Sequence, residues 1–175
     1  MKVADPALMT PDRLDRWARG LQARMCGIYV SSLTAEGPHA AQKAKDWLDS
    51  DDESLRCAGW GLVGQMAARH ETSSDTWFAE LLTRIETTIH AAPNDERYAM
   101  NQALIEIGGR SAALRDAALA AAERIGKVDV DHGDTSCKTP DAASYIAKTW
   151  THAESKGFES PAAQERKRKS PRIRC

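Results

Sequence analysis

The run PNDERYAMNQALIEIGG, from Pro93 to Gly109, limits the possible folds of this chain more than any other segment. Asn94 or Asp95 can cap a helix N-terminus there, and Glu96 places negative charge in the first turn, where the helix dipole favours it. Gly108-Gly109 offers the other end a left-handed C-cap. Between these signals Tyr98, Met100, Leu104, Ile105 and Ile107 supply apolar surface, interrupted by the amides of Asn101 and Gln102. A helix this apolar must be covered on several sides, so the rest of the chain has to surround it with further elements.

Those elements also read as helices. Thr10-Pro11 opens the first, a hydroxyl cap followed by proline at the first helical position. Leu14, Trp17, Ala18 and Leu21 then recur at helical spacing. Met25 to Leu33 continues as a second helix or a bent extension, stopped by Gly37-Pro38. His39 to Asp49 is a short helix that buries Ala44, Trp47 and Leu48. Ser50-Asp51-Asp52-Glu53 turns the chain and caps a helix reaching about His70. Gly59, Gly61 and Gly64 lie inside that helix, each at a cost of about 1 kcal/mol against alanine, and their expected use is close approach of another helix. Ser73-Ser74-Asp75 caps a helix over 76–91, and an alanine-rich helix follows over 111–125. No segment shows a usable strand pattern. Lys127-Val128-Asp129-Val130-Asp131 alternates, but it is short and has no partner strand. The fold class is therefore all-α. The turn at Ser50 recurs 43 residues later at Pro93, a spacing typical of HEAT-like helix pairs. Short loops make consecutive helices antiparallel neighbours, so the architecture expected is a HEAT-like α-solenoid of stacked helical hairpins.

Composition narrows the function. The chain has 175 residues, enough for one domain with a sizeable core. Lys and Arg number 24 against 25 Asp and Glu, which excludes a uniformly basic nucleic-acid binder but not a local basic patch. No apolar run approaches the roughly 20 residues of a membrane span, and MKVADPALMT lacks the apolar core of a secretory signal. Cysteines at 26, 57, 137 and 175 form neither a disulfide scaffold nor a zinc framework. A cytoplasmic monomer with reduced thiols, no membrane association, no cofactor and no metal is expected. The helical domain is assigned to residues 1–155 and a basic flexible tail to 156–175. In that tail RKRKSPRIR, residues 166–174, carries six basic residues in nine and reads as a solvated segment.

The least ordinary stretch is GKVDVDHGDTSCKTPDAASYIAKTW, after which Thr139-Pro140 is read as opening the last helix. Asp129, Asp131, His132 and Asp134 are metal-compatible side chains, but an EF-hand would need its glycine one residue later and a glutamate where Pro140 stands. The alternative is a polar loop whose side chains cap backbone groups. Asp131 or Asp134 could act as a catalytic carboxylate, or simply serve turns. Cys137 beside Lys138 could be an activated thiol or a half-buried one. Most of the five tryptophans sit at core spacing. Trp60, flanked by glycines, is the best candidate for exposure on an inner surface. Six charges in the tail could track phosphates with strong salt dependence.

The segments RYAMNQALIEIG, SDDESLRCAGWGLV and IGKVDVDHGDTSCKTPDAASYIAK, with the basic end RIRC, resemble the DNA alkylation repair family of HEAT-like proteins. The resemblance runs from about Asp5 onward. Relatives are usually longer at the N-terminus, so one or two N-terminal repeats are expected to be missing here. It implies a curved α-solenoid that holds duplex DNA, damaged or undamaged, on a basic inner face. It also implies a glycosylase that removes N3- or N7-alkylated purines, using a Trp-Asp-x-x-Asp helix, an arginine and a second tryptophan. Carried onto this chain, the first motif falls on Arg24 to Ile28 or one residue earlier, which puts its aspartate at Ile28 or Gly27, the arginine falls on Cys57 beside Arg56, and the second tryptophan on Gln102. No Asp or Glu occurs between Asp15 and Glu36, so the catalytic aspartate is absent in either register. Three readings follow: a DNA-backbone binder without autonomous glycosylase activity, a glycosylase with a relocated carboxylate at Asp131 or Asp134, and a protein-interaction solenoid. The DNA contacts expected under the first are Arg56, Trp60, Arg97, Gln102, Lys127, Lys138, Arg166, Lys167, Arg168, Lys169, Arg172 and Arg174.

Overall fold

The computed structural model describes residues 4–20 and 24–168. A single 3₁₀ turn, Pro6–Leu8, precedes α1 (Pro11–Arg19), α2 (Arg24–Ala35), α3 (Ala40–Leu48), α4 (Glu53–Arg69), α5 (Asp75–Thr88), α6 (Asn94–Gly108), α7 (Ala112–Ile125), α8 (Ala142–Ser155) and α9 (Pro161–Arg166). A second 3₁₀ turn, Ile89–Ala91, follows α5. No strand occurs among the described residues.

The helices form two layers. One holds α2, α4, α6 and α8, each packed on the next, and the other holds α1, α3, α5 and α7. Hairpins α1–α2, α3–α4, α5–α6 and α7–α8 connect the layers, which is the HEAT-like stack expected. The turns at Ser50 and Pro93 occupy equivalent places before α4 and α6. Their 43-residue shift is thus the structural repeat. One core runs through the stack, with Trp47, Trp60, Phe78, Met100, Leu104 and Ile107 among its most buried members.

The caps follow the sequence. Thr10, Asp52, Ser74 and Ser111 each accept a backbone N–H in the first turn of the helix they precede, satisfying donors that the helix cannot pair itself. Other expectations change. Pro93 precedes α6 without a side-chain cap, and Asn94 turns away to bond the backbone of Asp131. Gly109 has φ −83°, so α6 does not end in a left-handed residue. Gly108 is there for space, because a Cβ would lie 2.8 Å from Ile146 Cδ1 and 3.0 Å from Ala118 Cβ. The helix α8 starts at Ala142, capped by Asp141, rather than at Thr139-Pro140.

Two of the glycines in α4 serve different neighbours. A Cβ at Gly59 would meet Leu48 N at 3.0 Å on α3, and one at Gly61 would meet Ser31 Oγ at 2.7 Å on α2. Carbonyls at helix C-termini are covered by side chains from a neighbouring repeat. His70 Nε2 lies 2.6 Å from Ala35 O, His90 Nε2 lies 2.9 Å from Ile125 O, and Trp150 Nε1 donates to Gly108 O at 2.7 Å.

Between Lys156 and Arg168 the chain does not leave the domain. Ser160 caps α9, Ala162 N donates to Gly109 O, and α9 packs on α4 and α8. Residues 157–168, assigned from composition to a flexible tail, are part of the folded body. The apolar contact comes from Ala162 and Pro161, too small a signal to stand out beside the charges that follow.

Candidate nucleic-acid interface

The layer of α2, α4, α6 and α8 is open on the side away from its partner layer. On α4 the half-buried line is Ser54, Cys57, Gly61 and Gln65, at helical spacing. On α6 the corresponding line is Asp95, Tyr98, Gln102 and Glu106, and on α2 it includes Ile28, Tyr29 and Leu33. Tyr29 is 57% exposed, high for a large side chain. Ile28, Cys57 and Gln102, where the resemblance placed an aspartate, an arginine and a tryptophan, therefore stand on three successive helices of this layer.

The chemistry at Cys57 is the reverse of an arginine's. Burial pushes its thiol up to about 12, and the carboxylates of Glu53, Glu96 and Asp95 act in the same direction. A neutral thiol in an acidic surround replaces a permanent cation. The neighbouring Arg56 does not fill the role. Its Nε donates to Glu96 Oε2 at 2.8 Å and its Nη1 to Ser50 O at 3.0 Å.

Several expected DNA contacts are committed to the fold. Trp60 is 1% exposed, and its indole N–H donates to Glu96 Oε1 at 3.3 Å. It is not available for stacking on bases, because its flanking glycines pull it in between helices rather than leaving it bare. Arg97 donates to the carbonyls of Asp129 and Ala92 at 2.8 and 2.9 Å, pinning the 126–140 loop to α6. Arg166 pairs with Glu71 and Arg168 with Glu165. Gln102 is half-buried on the open line of α6. Lys127 is exposed and pairs with Asp129, while Lys138 and Lys167 are exposed. Lys169, Arg172 and Arg174 lie outside the described residues.

The 126–140 loop lies along α6. Asn94 makes two bonds to the backbone of Asp131, Asn101 Nδ2 donates to Pro140 O at 3.0 Å, and His132 meets Thr139 Oγ1 and the edge of Tyr98. Asp131 Oδ1 accepts from Gly133 N at 2.8 Å. Gly133 has φ +58°, which is why glycine stands there. Asp131 thus shapes a turn, and Asp134 is exposed. No group of three or more His, Cys, Asp or Glu side chains that could hold a metal occurs among the described residues. Between the loop, α6, α7 and α8 lies a cleft of about 400 Å³, lined by Asn101, Leu104, Ile125, Val128, Cys137 and Lys138 among others.

Two residues that periodicity did not single out hold the frame. Arg110 is 8% exposed. It donates to Asp75 at 2.7 Å and to the carbonyls of Ala67, His70 and Ser73, and its guanidinium stacks on Phe78. Asp15 of α1 accepts from Lys43 and Trp47 of α3 at 2.8 and 2.7 Å. The only sequence signal for either was a charged residue next to an apolar run.

No helix among the described residues is long and apolar enough to cross a membrane. The family model described as "DNA alkylation repair enzyme" matches residues 10–146. An uncharacterized protein of Listeria monocytogenes is 30% identical and one of Listeria innocua 31% identical, each over 146 residues. The match covers 82% of this chain and 63% of each Listeria protein, so the chain spans a little under two thirds of those relatives. A solved structure described as belonging to "a new family of proteins related to the HEAT-like repeat DNA glycosylases with affinity for branched DNA structures" aligns with a TM-score of 0.76 at 26% identity. It covers 91% of this chain and 68% of its own.

Proposed function

Because this chain belongs to the DNA alkylation repair enzyme family, we propose that it binds DNA as a monomer without excising bases at the family's usual centre. One observation carries the second half of this reading. The open layer presents Ile28, Cys57 and Gln102 where glycosylase relatives need a carboxylate, a cation and an aromatic ring. Departure of a cationic purine leaves an oxocarbenium ion, which needs fixed negative charge and a positioned water. The aliphatic side chain of Ile28 supplies neither. Asp131 and Asp134 do not substitute, since the first is spent on a turn and both belong to a loop on the flank of α6.

The DNA reading rests on the family and on the structural relative with affinity for branched DNA. The exposed Lys138 and Lys167 supply charge to neutralise phosphates, and the sequence adds Lys169, Arg172 and Arg174, so affinity should fall with salt and show little sequence preference. The test is to measure retention of plain duplex, a three-way junction and duplex carrying N7-methylguanine across a salt series, together with base release. Junction retention with release at the spontaneous rate is expected. Release above that rate would establish a relocated catalytic group.

The internal use of Arg56 and Arg97, and the exposure of Tyr29, favour a second reading as a protein-interaction solenoid. Failure to retain any of the three DNAs at low salt would select it.

A further inference from the structure

The cleft beneath the 126–140 loop has no part in the family's chemistry, yet it has the features of a binding site. Its volume of about 400 Å³ falls in the range of small-molecule pockets. Leu104, Ile125 and Val128 give it an apolar wall, and most of the rest of the lining is polar, with Asp129 and Asp141 beside the solvent-exposed Lys127 and Lys138. Asn101, fully buried, is also part of the lining. Its amide orientation is fixed by the bond from Nδ2 to Pro140 O, and its Oδ1 has no hydrogen-bond partner. A buried acceptor without a donor is unfavourable, and the molecule gains when a donor reaches it.

We infer that this cleft receives an unpaired nucleobase, with Asn101 Oδ1 accepting from the base's Watson–Crick edge and Lys127 and Lys138 meeting its phosphates. The inference rests on the proposed DNA binding and extends it. Every DNA base carries at least one N–H donor on that edge, and in a duplex that donor is occupied. A buried acceptor in the lining of this cleft therefore selects for the absence of pairing rather than for one base. Flat rings gain from apolar walls whatever their identity. Branched DNA with a flap or a gap presents unpaired nucleotides, whereas an intact duplex does not. Because Oδ1 is closed off from solvent, the base must spread the loop away from α6. The bonds it would loosen are those that hold residues 129–131, two between Asn94 and Asp131 and one from Arg97 to Asp129, while Asn101 Nδ2 keeps its bond to Pro140 O.

The test uses the full chain and a duplex with a one-nucleotide flap, the flap carrying 2-aminopurine or an abasic sugar. The expected result is a fluorescence change of the 2-aminopurine on binding and about tenfold weaker retention of the abasic flap, the scale of one lost base contact. Ala122→Met, which fills the cleft from α7, and Asn101→Leu should both abolish that preference while leaving retention of fully paired duplex unchanged. Equal retention of the two flaps with unchanged fluorescence in the unsubstituted protein would overturn the inference while leaving DNA binding intact. Loss of all retention, paired duplex included, would overturn both.

Discussion

Arg56 on α4 donates to Glu96 on α6 across 2.8 Å, and the same carboxylate accepts the indole N–H of Trp60 at 3.3 Å. The pair sits one residue from the position where relatives carry an arginine. It joins the two most closely packed helices of the open layer and keeps a cation that could have met DNA inside the protein.

Glu96→Ala should therefore act on stability first. Removing it leaves a guanidinium and an indole N–H unpaired in a mostly buried place, and breaking a buried pair from one side costs about 3–5 kcal/mol. Arg56 keeps some solvent contact, so a loss near the lower bound is expected, about 3 kcal/mol. Urea unfolding should show a lower midpoint with an unchanged slope. A loss below about 0.5 kcal/mol, the usual range for surface changes, would mean that the pair is not formed.

Arg110 holds the turn after α4 with donors spread over one carboxylate and four carbonyls. Lysine keeps the charge but loses the planar fork that reaches several acceptors at once. Arg110→Lys should cost about 2–3 kcal/mol in the same urea experiment, the scale of leaving buried acceptors unpaired. It should also raise hydrogen exchange over residues 67–75. A neutral outcome would show that a point charge suffices there.

The acid limb of stability should trace to Asp15 and Asp75. Burial opposes the ionised form of each. At Asp15 the hydrogen bonds from Lys43 and Trp47 outweigh it, and at Asp75 those from Ser111 and Arg110 do so, leaving both carboxyls below the ordinary aspartate range. Between the folded and unfolded pKa values the unfolded chain binds more protons, so stability rises with pH there. The contribution is fully present above the unfolded value near 4 and fades as pH falls through the folded value. Asp15→Asn should flatten the dependence of the urea midpoint on pH below about 4. An unchanged slope would assign the acid limb elsewhere.

Much of the fold was legible because it is local. Thr10, Asp52, Ser74 and Ser111 announced their helices, and the Ser50 and Pro93 turns gave the repeat. Contacts between repeats were not legible, because they join residues a repeat apart that carry no mark of their partners. Arg56 finds Glu96 after 40 residues, Trp150 finds Gly108 after 42 and Arg110 finds Ala67 after 43. Glycines around Trp60 signal close packing, and close packing can bury an indole as readily as it can bare one. Arg97 has the composition of a phosphate contact, and only the path of the loop shows that backbone carbonyls reach it first. The absence of the family's aspartate was readable from sequence. The acidic surround of Cys57 depended on how α4 and α6 pack.

Gly59 and Gly64 should respond oppositely to alanine. A Cβ at Gly59 would lie 3.0–3.2 Å from backbone and Cβ atoms of Leu48 and Trp47, whereas one at Gly64 would meet Glu106 and Ala103 at 3.4–4.0 Å. Gly59→Ala should cost about 1–3 kcal/mol by forcing α3 from α4. Gly64→Ala should be neutral or stabilising by up to about 1 kcal/mol, through helix propensity and a less flexible unfolded chain. Thermal melts of the two variants give the sign directly.

Cys57 and Cys137 offer a chemical reading of the open layer. The thiolate is the reacting species, so its population sets the rate of alkylation. Burial and three carboxylates hold Cys57 at about 12, so at pH 8 only about one molecule in 10,000 carries the thiolate. Cys137 is exposed on the loop. With iodoacetamide at pH 8, peptide mass spectrometry should show Cys137 modified in minutes and Cys57 slower by at least about a hundredfold. In Glu96→Gln the negative charge beside the thiol is gone, and Cys57 should react faster. The pH profile decides whether that gain is electrostatic, since a lowered thiol pKa shifts the whole curve to lower pH and mere opening of the helices also raises the plateau. Comparable rates for Cys57 and Cys137 in the unsubstituted protein would mean that α4 and α6 do not enclose the thiol. The case that this position is unfit for a glycosylase's cation would then lose its electrostatic half.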